Sequence, residues 1–143
     1  MDNFNERTKE YINIMAPDLF DEIVEKEYKD NKFYDFVIKD NQKEIILCSE
    51  NDEYSVFYST FHCHFTPDTE SEEKETLEEA INFINDLVQE KIIIVAYFND
   101  DRMMWGTCRN FDEEPEIQTN RRIEIESWKD TYTRTIPAQK NDA

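Results

Sequence analysis

From Tyr11 the apolar residues recur every three or four positions: Tyr11, Ile12, Met15, Leu19, Phe20, Ile23 and Val24. This 3.6-residue rhythm predicts helix over the first thirty residues. Pro17 interrupts it. The expectation is two helices meeting at Ala16-Pro17, or one helix kinked there, with Asp30-Asn31 as the end. From Phe33 the period changes to two. Tyr34, Phe36 and Ile38 alternate with Asp35 and Lys39, which predicts a half-buried strand. Asp40-Asn41-Gln42 then turns the chain into Glu44–Cys48, and Asn51-Asp52 turns it into a long strand Tyr54–Phe65.

The helical period returns at Leu77, Ala80, Ile81, Ile84, Leu87 and Val88, with Thr76 and Glu79 spaced as a capping box. Ile92–Phe98 (IIIVAYF) is apolar on both faces and belongs inside a sheet. Asn99-Asp100-Asp101 turns it into Arg102–Cys108, and a polar loop with Pro115 follows. Ile123 and Ile125 alternate with charged residues over Arg121–Trp128, and Thr131–Ile136 can add an edge strand. The order α-βββ-α-ββ-β predicts an α+β fold: an antiparallel, twisted sheet of five or six strands with helices on one face. Residues 1–136 read as a single domain and 137–143 as a flexible tail.

Charge narrows the function. The chain has 143 residues, 16 Lys+Arg against 34 Asp+Glu and a net charge of −18, yet 13% of it is aromatic, enough for a packed core. Such acidity argues against contact with nucleic acid or anionic membranes. With Gly106 as the one glycine, neither GxGxxG nor a P-loop can be written, and no cofactor is expected. In its place Asn and Asp must make the tight turns, since they best tolerate positive φ. The N-terminus is acidic with no apolar signal region, and the longest apolar run, Ile92–Phe98, has seven residues. Cys48, Cys63 and Cys108 are odd in number and lack a CxxC pair, which suits reduced thiols. A soluble cytoplasmic protein is expected.

Few residues mark chemistry. His62 and His64 flank Cys63, and on one continuous strand they would share a face with Tyr58 and Thr60. The opposite, core-like face would carry Phe57, Phe61, Cys63 and Phe65. The two imidazoles are weak metal-ligand candidates without a third ligand at a recognisable spacing; half-exposed residues of a sheet is the competing reading. Neither can reach Cys63 to activate it, because neighbours on a strand point apart. No catalytic residue and no metal is expected. Alternation would place Met103, Trp105 and Thr107 on one face of the second hairpin, with Met104, Gly106 and Cys108 on the other. Met103 and Trp105 are thus candidate partner anchors, against the alternative that Trp105 packs beneath a helix or the C-terminal strand.

Over Tyr54–Gly106 an aromatic strand ending in His-x-His-Phe (YSVFYSTFHCHF) leads through an acidic loop to the helix LEEAINFINDLVQEK. The strand IIIVAYF and a hairpin with Met104-Trp105-Gly106 complete the series. This order resembles small bacterial immunity-type proteins encoded beside polymorphic toxins. The resemblance implies a non-enzymatic protein that binds and blocks a cognate toxin. Acids are densest at Asp68–Glu79 and at Asp112–Glu116, so Glu113, Glu114 and Glu116 join Met103 and Trp105 as candidate contacts with a basic, toxin-like protein. A metal-dependent enzyme or metalloprotein built on His62 and His64 is the alternative. A domain whose charge serves solubility alone is the third.

Overall fold

The computed structural model describes residues 3–139. The fold class is α+β, as the patterning predicts, with every strand pairing antiparallel. The described residues form nine strands in two sheets, of five and four strands, where one sheet of five or six was expected. The chain divides between Ile84 and Asn85 into two compact units.

The first unit begins with helix α1, Phe4–Met15. The Asn3 side chain caps it by accepting from the Glu6 amide at 2.8 Å, and Phe4, Thr8 and Ile12 form its buried stripe. The expected continuation of helix to residue 30 is corrected. Pro17 disfavours a helical conformation in the residue before it, Ala16 has left the helix at φ −149°, and Glu22–Tyr28 is strand β1. Leu19, Phe20, Ile23 and Val24 match helical spacing, but Lys29 and Asp30 both have positive φ and close a two-residue hairpin onto β2, Asn31–Asp40.

Strand β3 is Lys43–Cys48. The expected long strand Tyr54–Phe65 is two strands, β4 (Tyr54–Tyr58) and β5 (Phe61–Phe65), folded at Ser59-Thr60 with Ser59 at φ 55°. The sheet order is β1-β2-β3-β4-β5. Both helices pack on one face of this sheet. Phe4 of α1 lies 4.9 Å from the Tyr54 ring, and Phe83 of helix α2 (Glu73–Val88) lies 6.1 and 5.9 Å from Phe61 and Phe65. The α2 stripe is as expected: Leu77, Ala80, Ile81, Ile84 and Leu87 are buried. Val88 is half-buried. Each large aliphatic on it stabilises the fold by about 1.5–3 kcal/mol. Its start differs: a short 3₁₀ turn at Glu70–Glu72 leads into Glu73, so Thr76 and Glu79 lie inside the helix and form no cap.

The second unit contains the end of α2 and the sheet β7-β6-β8-β9. Its strands are β6 (Ile92–Asn99), β7 (Arg102–Asn110), β8 (Arg122–Glu126) and β9 (Arg134–Ile136). Ile93, Val95, Tyr97, Ile123 and Ile125 form its core cluster. The α2 terminus is a Schellman end. Lys91 N–H donates to Asp86 O at 2.9 Å and Glu90 N–H to Leu87 O at 3.1 Å, with Glu90 at φ 58° where glycine is usual. Of the expected tail, Gln139 bridges Thr119; residues 140–143 lie outside the described residues. No helix among the described residues is long and apolar enough to cross a membrane.

Asn and Asp do supply most of the tight turns. Of the ten described residues with positive φ, seven are Asp30, Asn41, Asn51, Asp52, Asp100, Asn120 and Asp130.

Candidate functional site

His62 and His64 share a face, but not with Tyr58 and Thr60 as the single-strand reading had it. The turn at Ser59-Thr60 reverses the chain, so His62 pairs with Phe57 and His64 with Ser55. Phe57 therefore moves from the expected core face to the histidine face, where it is 41% exposed. The Phe57 and His62 rings stack at 5.7 Å, and the two imidazoles meet edge to face at 5.4 Å. His64 Nδ1 lies 2.7 Å from Ser55 Oγ and 3.2 Å from Glu53 Oε1. Hydrogen bonding and stacking thus occupy both rings. Among the described residues, no three His, Cys, Asp or Glu side chains gather as a metal site.

The cysteines are free thiols. Burial pushes the Cys48 thiol up to about 12 and raises that of Cys108, so neither is a ready thiolate at neutral pH.

In the second unit a β-bulge separates the two expected anchors. Tyr97 pairs with Trp105 while Phe98 pairs with Met103, which leaves Met104 as the extra residue. Tyr97 and Phe98 alternate, so Met103 and Trp105 stand on opposite faces, not together. Met103 is 38% exposed. Trp105 is half-buried against the core cluster, stacked on Tyr97 at 4.6 Å with the Arg121 guanidinium 4.6 Å from its ring.

The Asp112–Glu116 stretch is an exposed loop, pinned by buried Pro115 and by the Tyr97 hydroxyl, which donates to the Glu116 carbonyl at 2.9 Å. Glu113 accepts from Asn110 at 2.7 Å and sits 3.7 Å from Arg109, while Glu114 pairs with Arg134 at 2.9 Å. Both line a cleft of about 290 Å³ with Phe111, Tyr132 and Arg134. The Phe111 and Tyr132 rings are 5.4 Å apart and 45% and 37% exposed. Sequence reasoning missed these aromatics because each sits alone in a polar stretch, and only the fold joins them. In the other acid-dense stretch, Glu73 turns inward, 5% exposed, and holds Arg7 through two bonds of 2.8 and 3.0 Å.

The first unit carries a second, more apolar cavity of about 470 Å³. Ile12 and Phe36 form its buried floor, Pro17, Phe20 and Ile23 its wall, and Glu6, Lys9 and Glu10 its rim. Glu6 accepts from the Tyr34 hydroxyl at 2.6 Å, which with burial pushes that phenol up to about 12.

No protein-family model, no curated protein and no solved structure matches this chain.

Proposed function

We propose that this chain is a non-catalytic acidic protein that binds and inhibits a larger basic partner, specifically as the immunity protein of a nuclease-type toxin. The observation that carries the reading is the cleft of the second unit, where two exposed aromatic rings stand beside Glu113 and Glu114. Partner sites are typically built this way, with aromatic anchors supplying affinity and surrounding charge setting orientation and on-rate. A net charge of −18 adds a field that draws in a basic protein. Nucleases are basic where they hold phosphate, so carboxylates can compete for that surface.

The test is affinity purification from the native cell, then expression of the main co-purifying protein with and without this chain. A product toxic alone and tolerated with this chain supports the reading. Failure to retain any partner at low salt, with no neighbouring gene product neutralised, sinks it. Once a partner is in hand, E113Q/E114Q/E116Q should slow association and flatten its salt dependence, while Phe111→Ala and Tyr132→Ala should speed dissociation.

A further inference from the structure

The five-stranded sheet ends at β1, whose outer edge pairs with no strand among the described residues. Six of its seven residues are exposed, an unusual length of open edge. In a two-residue hairpin the flanking pair Tyr28–Asn31 exchanges both ladder bonds. Counting back in twos, Ile23, Glu25 and Glu27 direct their N–H and C=O groups away from β2. The same three side chains lie on the helix-bearing face, because they pair with Phe36, Tyr34 and Lys32. Ile23, 47% exposed, forms one wall of the 470 Å³ cavity. Unpaired backbone, an apolar cavity and a row of carboxylates thus follow one strand.

We propose that β1 is the docking edge for an extended basic segment of a partner protein, which adds an antiparallel strand and seats an aliphatic side chain beside Ile23. The inference rests on the binding reading above and gives the first unit a contact of its own. Backbone pairing supplies the strand's affinity and alternate side chains its selectivity. Every second residue of the segment meets the cavity face: an aliphatic opposite Ile23, and Arg or Lys opposite Glu25 and Glu27. Glu6 and Glu10 at the cavity rim extend the acidic surface. The rim's one cation, Lys9, lies 5.2 Å from the Tyr34 ring centre. Lys26 of β1 is held on the other face by Asp35 at 2.6 Å, and Lys32 of β2 stands opposite Glu27, so Glu25 carries the stronger part of the acidic match. A second copy of β1 would set glutamates against glutamates, so the charge selects a basic strand over self-pairing.

The probe is the peptide Thr-Arg-Thr-Arg-Thr-Leu-Thr carrying a fluorophore, titrated against the full chain at low salt. We expect saturable binding, slowed exchange of the Ile23, Glu25 and Glu27 amides, and at least tenfold weakening by E25K/E27K. Exchanging the peptide's Leu for Asp, or N-methylating its edge-facing amides, should weaken binding equally without altering the protein's fold. Binding indifferent to all three changes, or no binding, overturns the proposal, as does self-association that the peptide competes away. A partner recovered by purification and held equally well by wild type and E25K/E27K would also overturn it, while leaving the inhibitor reading intact. Peptide binding at β1 without any neutralised toxin would sink the inhibitor reading alone.

Discussion

Glu90 reaches Thr131 twice, accepting from its hydroxyl at 2.6 Å and from its amide at 3.2 Å, while standing in a left-handed conformation at the end of α2. A third bond comes from the Lys129 amide at 3.1 Å. The carboxylate is nearly buried, and its acceptor oxygens organise the turn between β8 and β9. Left-handed φ costs a residue with a Cβ about 1–2 kcal/mol. These charge-assisted bonds outweigh that cost, since each contributes roughly 1.5–3 kcal/mol.

Burial alone would raise the Glu90 pKa, but bonds from Ser127, Thr131 and Lys129 prevail and hold it below the ordinary glutamate range. A depressed folded-state pKa gives stability that is fully present above the unfolded value of about 4.3 and lost as pH falls through the folded one. Glu90→Gln should therefore lower stability by about 2 kcal/mol at pH 7. That gap should close in denaturant titrations taken below about pH 4.

Arg7 and Glu73 join α1 to the start of α2 through a bidentate pair in which the carboxylate is buried. Arg7→Met strands that charge and should cost about 3–5 kcal/mol. The double variant Arg7→Met with Glu73→Leu should recover most of the loss. A double-mutant cycle by thermal melting measures the coupling.

Ile84 is fully buried on α2. Ile84→Asp places an unpaired carboxylate there, and the expected loss is about 4 kcal/mol or more. A melt within a degree or two of the parent would show that the face is not buried.

Trp105 and Met103 should respond differently. Trp105→Ala removes the ring stacked on Tyr97 and should cost about 3 kcal/mol in denaturant unfolding. Met103→Ala, on an exposed position of the other face, should stay within about 0.5 kcal/mol.

Strands β2, β3 and β8 and the buried stripe of α2 are legible because their apolar residues recur at a strand or helix period, and β6 because its apolar run is unbroken. β1 is not. It is an open edge with little to bury, so Ile23 and Val24 fell into a helical count with Leu19 and Phe20. The decisive marks were Pro17 and the turn Lys29-Asp30. The faces of His62 and Trp105 depended on single residues that alternation cannot see: the left-handed Ser59 and the bulged Met104. The cleft of Phe111 and Tyr132 joins residues 21 positions apart, which no local pattern records. The carboxylates of the loop were visible as charge, but their partners Arg109 and Arg134 were not.

Glycine's scarcity reaches beyond the shape of the hairpins to the denatured chain. Each glycine adds backbone freedom that folding must remove, at a cost of roughly 0.5–1 kcal/mol relative to alanine. A chain with one glycine has less disorder to lose, and it accepts strain in the folded turns instead. At Asn41, Asn51 or Asp100 the two effects nearly cancel, since those residues tolerate positive φ. At Lys29 and Ser59 they do not. The hairpins ending at those two residues hold a reserve of stability that glycine would release.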